Sequence, residues 1–291
     1  MSHHQSLSLE PVQTRHWFAQ LDLHLERRGA KSVLSHVRHQ GPLRVQRPFY
    51  PEENGCCHVY LLHPPGGMVL GDLLQINIAA APGATGLITT PSAGKIYRAQ
   101  GFQEVQRQEV HISSASGSCI EWLPQETIVF NGANGRLRTR LELGGDARAC
   151  VWDVVCLGRP ASDEVFTEGR CEQILEIYRD NRPLLIERNR FDGGDERMQA
   201  RWGLHNAPVA GTFLATLKPT RDRVDALVEG LEALAPAPDH QWGLTQKGEL
   251  FIVRYLGQST RLCRAGFEYV WRELRMDLTG AQAVAPRIWN T

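Results

Sequence analysis

For its first two thirds the chain reads as one strand after another. Trp17, Ala19, Leu21, Leu23 and Leu25 alternate with Phe18, Gln20, Asp22, His24 and Glu26, the period-two pattern of a half-buried strand. Arg28-Gly29-Ala30 predicts a turn into a second strand over 32–39. Leu74, Ile76, Ile78 and Ala80 repeat the alternation until Pro82-Gly83, and Leu137, Thr139, Leu141 and Leu143 repeat it until Gly144-Gly145. Segment 149–157 is apolar on both sides of Asp153, so it reads as a strand buried on both faces, stopped by Gly158 and Pro160. Helical spacing is confined to the last third. Val224, Leu227, Val228, Leu231 and Leu234 form one apolar stripe, with Asp222 and Asp225 near its N-terminal end and Pro236 and Pro238 closing it. Ser259 is an N-cap candidate for a second helix that stacks Cys263, Phe267, Val270 and Leu274, is weakened by Gly266 and ends before Gly280. Many strands and two late helices predict a mainly-β fold rather than an alternating βαβ one. No linker or internal repeat divides the chain, so one domain over 1–291 is expected, with a helical element at about 220–278 packed on the β body.

Charge narrows the function classes. The 32 Lys plus Arg are balanced by 32 Asp plus Glu, with a pI near 7.2. A nucleic-acid protein needs surplus cations to displace phosphate counterions, so that class is excluded. Zero net charge also predicts that the isolated chain associates until a partner covers it. No apolar run approaches the ~20 residues of a membrane span, and the N-terminus lacks the cationic-then-apolar pattern of a secretory signal. Seven cysteines, an odd count lying mostly in apolar runs, read as reduced thiols of a cytoplasmic protein. His3 and His4 are set aside as possible additions to the native chain.

Familiar catalytic and cofactor motifs fail. Gly66-Gly67-Met68-Val69-Leu70-Gly71 lacks the dinucleotide spacing, and Ser92-Ala93-Gly94-Lys95-Ile96 lacks both the first glycine and the magnesium-binding hydroxyl of a P-loop. No nucleophile elbow occurs. Cys56-Cys57-His58 with His63 is the densest set of metal-ligand types. Adjacent strand residues point to opposite faces, so Cys57 and His58 are expected in core roles rather than on one ion. Glu52-Glu53, after Pro51, reads as a solvated turn.

An ordered series of polar and glycine segments remains. It runs Gly41-Pro42-Leu43-Arg44-Val45-Gln46-Arg47-Pro48-Phe49-Tyr50-Pro51-Glu52, His63-Pro64-Pro65-Gly66-Gly67, Gly71-Asp72, Thr89-Thr90-Pro91 and Lys95-Ile96-Tyr97-Arg98. Glu121-Trp122-Leu123-Pro124-Gln125-Glu126, Trp152-Asp153, Cys156-Leu157-Gly158-Arg159-Pro160 and Pro286-Arg287-Ile288-Trp289 complete it. In this order the set resembles the UreD/UreH urease accessory proteins along nearly the whole chain. Leu70 stands where that family usually has a glycine. The resemblance implies helical-barrel or solenoid-like β-sheets with a small helical element. It also implies a non-catalytic scaffold or chaperone that, with UreF and through it the GTPase UreG, docks on the urease apoprotein and helps insert nickel, with no permanently bound cofactor. Nickel in transit should be held weakly, by spaced acids rather than a closed cage. Asp72, Asp153 and Glu187 lie in or beside apolar runs and are the candidate route residues, against the alternative of structural ion pairs with Arg98, Arg159 or Arg188. The competing function is a small-molecule enzyme with a site around Asp72, Lys95 and Tyr97.

Overall fold

The computed structural model describes residues 17–99, 104–235 and 240–290, so His3, His4, Pro236 and Pro238 lie outside the described residues. The chain opens with a hairpin of β1 (Phe18–Arg28) and β2 (Lys31–Gln40), turned at Gly29 where φ is +60°. Then come β3 (Arg44–Val45), β4 (Cys57–Leu62), β5 (Leu73–Ala80), β6 (Thr85–Thr89) and the short β7 (Gly94–Ile96). β8 (Gln106–Ser114), β9 (Cys119–Trp122), the short β10 (Thr127–Val129), β11 (Asn134–Leu143), β12 (Arg148–Leu157) and β13 (Arg170–Arg179) follow. The last third holds β14 (Arg182–Asp192), the single turn α1 (Glu196–Gln199), β15 (Val209–Ala215), α2 (Arg221–Ala233), β16 (His240–Lys247), β17 (Leu250–Gly257) and α3 (Thr260–Thr279). About 49% of the chain is strand and 16% helix, the mainly-β balance that the alternation predicts.

From β4 to β13 the long strands alternate between two sheets, and within each sheet successive coils run parallel. β1, β5, β8, β11 and β13 form one parallel stack; β4, β6, β9 and β12 form the other. Antiparallel strands flank both stacks. β2 and β14 extend the seven-stranded sheet, and β15, β17 and β16 extend the ten-stranded one. Neither sheet closes, so the solenoid-like form holds and the barrel does not.

Alternation decides what fills the space between the sheets. Leu21, Leu23 and Leu25 of β1, Ile76 and Ile78 of β5, Ile112 of β8, Leu141 of β11 and Val151 and Val155 of β12 all bury there. In-register neighbours form rows across the seven-stranded sheet. One runs Leu21, Ile76, Val110, Thr139, Leu175, Glu187; its neighbour runs Ala19, Leu74, Gln108, Leu137, Gln173, Asn189. Each row is apolar at β1 and turns polar towards β14.

The other face of the ten-stranded sheet is covered by α2 and α3. Cys150, Trp152, Val154 and Cys156 of β12 pack there against Cys263, Phe267, Val270 and Leu274 of α3, so β12 is buried on both faces as its composition predicts. Ser259 caps α3, accepting from the Leu262 N–H at 3.1 Å, and Gly280 ends it with φ +75°. Gly266 is more than a weak helix former. A Cβ there would lie 2.2 Å from the Trp242 ring, so its absence lets β16 lie against the helix.

α3 also carries a buried cation. Arg275 is fully buried one turn beyond Trp271, and all its donors are used. Its Nη1 and Nη2 donate to Glu52 at 2.8 and 2.7 Å, its Nε and Nη2 to Glu121 at 3.1 and 2.9 Å, and Nη1 also to the Gln282 carbonyl at 2.7 Å. Trp271 Nε1 donates to Glu121 at 2.6 Å, and His58 Nε2 lies 2.5 Å from Glu52. Glu52 is therefore buried and paired, not the solvated turn residue that its neighbours Pro51 and Glu53 imply. Burial opposes the charge on Arg275, but the Glu121 and Glu52 carboxylates outweigh it and raise the guanidinium above its ordinary pKa. Breaking a buried pair by removing one partner strands the others, so Arg275→Met should cost about 3–5 kcal/mol. Urea unfolding of the variant should show that loss; unchanged stability would mean that the helix is not held by this network.

Candidate functional site

The period-two alternation of β12 turns Asp153 inward between Val151 and Val155. There it forms the inner end of a cavity with about 930 Å³ of empty space, open mouth included. Its wall is largely apolar (Leu61, Met68, Leu74, Ile76, Trp122, Leu137), with Gln108 and Thr139 among the polar members. The more exposed rim carries His63, Gly66, Ser92, Gly94 and Lys95. Gly66 and Gly71 both have φ +78°, so the turns flanking Leu70 use their own glycines and position 70 needs none.

Past Asp153 the interior narrows to a constriction lined by Asp153, Gln173, Leu175, Glu187, Asn189 and Thr212, with no room for a water molecule. Gln173, Glu187, Asn189 and Thr212 reappear in the wall of an outer groove completed by Trp242, Arg254 and Tyr255. The constriction is closed by hydrogen bonds. Asn189 Nδ2 donates to Gln173 Oε1 at 3.2 Å and to Glu187 Oε1 at 3.4 Å, and Thr212 Oγ1 donates to Glu187 Oε1 at 3.2 Å. Gln173 in turn bonds Asp153. Arg254, paired in register with Thr212 as Thr212 is with Asp153, forms an ion pair with Glu187.

Among the described residues Asp153 has no cationic partner. Burial raises its pKa, the Gln173 hydrogen bond only partly offsets this, and the Glu187 charge adds to the rise, bringing it to about 6. At neutral pH an ionised carboxylate therefore sits in a place that disfavours it. His63 at the rim is shifted the other way, burial holding its imidazole below the ordinary value and favouring the neutral, metal-ligating form.

Of the three acids singled out from sequence, Asp153 and Glu187 meet at the constriction and Asp72 does not. Asp72 sits in the loop between two cavity-wall residues, Met68 and Leu74. Its Oδ2 accepts from the Val69 N–H at 2.8 Å while Oδ1 is buried without a partner among the described residues, and burial raises its pKa. None of the three pairs with Arg98, Arg159 or Arg188. Arg98 pairs with Glu168, Arg159 with Glu164, and Arg188 lies 3.9 Å from Glu176. Among the described residues no hydrogen bond or ion pair joins Asp72 to Lys95 or Tyr97.

One cluster has the composition of a metal site. Ligand atoms of Glu52, Cys56 and His58 lie within 4.8 Å of one another. Cys56 and His58 share the face of the sheet opposite Cys57, as strand alternation requires. Arg275 already bonds Glu52 and lies 3.9 Å from Cys56 Sγ, and burial together with Glu121 and Glu52 keeps the Cys56 thiol protonated. A guanidinium fills the place that a cation would take. All seven cysteines are buried and free.

Fold and interior together define a two-sheet β-solenoid in which a cavity and an outer groove meet at a closed, acid-bearing constriction. The chain belongs to the UreD urease accessory protein family, whose profile matches residues 18–290. It is 51% identical over 286 residues to the urease accessory protein UreD of Saccharophagus degradans, covering 98% of this chain and 97% of that one. It is 42% identical over 282 residues to UreD of Dechloromonas aromatica (97% of each chain), and 43% identical over 282 residues to UreD of Klebsiella aerogenes (97% of this chain, 99% of that one).

The raised pKa of Asp153 has a stability consequence with a definite sign. Between its ordinary value of 3.8 and about 6 the folded chain binds more protons at this site than the unfolded chain does, so stability falls as pH rises through that window. Asp153→Asn removes the charge, and at pH 7–8 it should be more stable than the parent by on the order of 1–3 kcal/mol. The advantage should fade on acidification below pH ~4. Denaturant melts at both pH values check this; a variant less stable at pH 8 would mean that the carboxylate is well solvated.

Proposed function

We propose that this protein is a cytoplasmic, non-catalytic urease maturation scaffold that, with UreF and the GTPase UreG, binds the urease apoprotein and passes nickel(II) towards its active site. The observation that carries the reading is the meeting of Asp153 and Glu187 inside the solenoid, between a cavity open on one side and a groove on the other. Two neighbouring acids that share one arginine leave a part-buried carboxylate without a counter-charge, which is costly unless a second cation uses it. Nickel(II) is borderline in softness and accepts imidazole, carboxylate and neutral oxygen donors, the types offered by His63, Asp153, Glu187, Gln173 and Thr212. Separated oxygen donors bind such an ion loosely, and a carrier needs to release its cargo. Membership of a family named for urease accessory proteins supports urease as the destination. Among the described residues no helix is long and apolar enough to cross a membrane.

The reading predicts separation of assembly from delivery. Asp153→Asn and Glu187→Gln should each leave the complex with UreF, UreG and apo-urease intact while lowering nickel-dependent urease activation by about tenfold or more. Asp72→Asn, outside the cavity wall, should lower it less. Co-purification and urease activation measured on the same three variants test this. Full activation in both the Asp153 and the Glu187 variant would remove the passage from the account.

A further inference from the structure

Among the described residues Arg254 is the one cation in contact with the acids of the constriction, and its placement is specific. It lies on the inward-facing side of β17, which also buries Leu250 and Ile252, in the register row Asp153–Thr212–Arg254. Its guanidinium reaches Glu187, while its side chain remains half-exposed in the outer groove. The facing residue on β16 is Gly243, around whose missing Cβ there is open space, so no neighbouring side chain at that position confines the arginine. The constriction that it borders admits no water, although space lies on both sides of it.

Charge counting shows what the arrangement favours. With Asp153 and Glu187 both ionised, the constriction holds two negative charges against the single positive charge of Arg254. One negative charge is left over in a poorly hydrated interior. A divalent cation in place of the guanidinium leaves none. Resting on the nickel-route reading above, we propose that Arg254 is the gate of the passage: it holds Glu187 in the closed constriction, and a divalent cation arriving at Asp153 displaces it into the groove. Entry of the ion then releases its own barrier, because the freed arginine swings into water beside Gly243 while Glu187 turns to the metal. Once the ion has left, Arg254 returns to Glu187 and the constriction closes again. A monovalent ion lacks the charge to neutralise both acids, so the same exchange discriminates against it.

The test uses the full-length chain and nickel(II) alone, with affinity measured by equilibrium dialysis for the parent, Arg254→Gln, Arg254→Lys, Asp153→Asn and Glu187→Gln. Removing the competing cation should tighten nickel binding about tenfold or more in Arg254→Gln. Arg254→Lys should stay near the parent, and both acid variants should weaken binding. A gain in affinity is a result that partial unfolding does not mimic. If the acid variants weaken binding but Arg254→Gln leaves it unchanged or weaker, the gate is wrong and the route stands. If none of the four substitutions changes nickel affinity, both the gate and the route fall.

Discussion

Two part-buried carboxylates, only one of them paired with a cation, flank a constriction too narrow for water, and the shape of this molecule is what brings them together. A stack of parallel coils keeps the same inward positions in register from strand to strand, so an apolar row continues until a coil substitutes something else. Here the rows begin with Leu21 and Ala19 at β1 and end with Glu187 and Asn189 at β14. Across from them the row Asp153, Thr212, Arg254 is polar along its whole length. The constriction is thus the polar end of an otherwise apolar sandwich, and its position follows from register rather than from any special loop.

The second buried charge cluster shows what the first lacks. Around Arg275, two carboxylates and a backbone carbonyl accept from the donors of one guanidinium, the Trp271 indole N–H donates to one of those carboxylates and the His58 imidazole bonds the other, and the result fastens α3 to the outer face of the ten-stranded sheet. Around Asp153 no such match exists among the described residues. Its one side-chain hydrogen bond comes from a neutral amide, its neighbouring charge is another acid, and its pKa is displaced upward. A filled network and an unfilled one thus lie on opposite faces of the same sheet.

Much of this was legible in the sequence because it rests on short-range periodicity. The alternations at 17–25, 74–80 and 137–143 are strands, segment 149–157 is buried on both faces, and the two helices start and stop close to their caps. Asp153 and Glu187 stood out as acids in apolar runs, and the structure puts them together. The partners were not legible. Glu187 meets Arg254 from 67 residues away, and Glu52 meets Arg275 from 223 away, separations at which no local pattern speaks. Arg275 itself was hidden by lying one position beyond the apolar stripe of α3, and Glu52 by the turn-like residues around it. Gly266 was read from helix propensity alone, because the tryptophan that needs its missing Cβ belongs to a different strand.

What remains is to find the ion in the passage. Anomalous diffraction at the nickel edge, from crystals of the full-length chain soaked in nickel(II), locates bound metal without reference to activity. The account predicts a peak inside the solenoid within ligand distance of Asp153 or Glu187, with Arg254 turned away from Glu187 wherever that peak is strong. Nickel confined to surface histidines, with the constriction still dry and the Glu187–Arg254 pair intact, would contradict it.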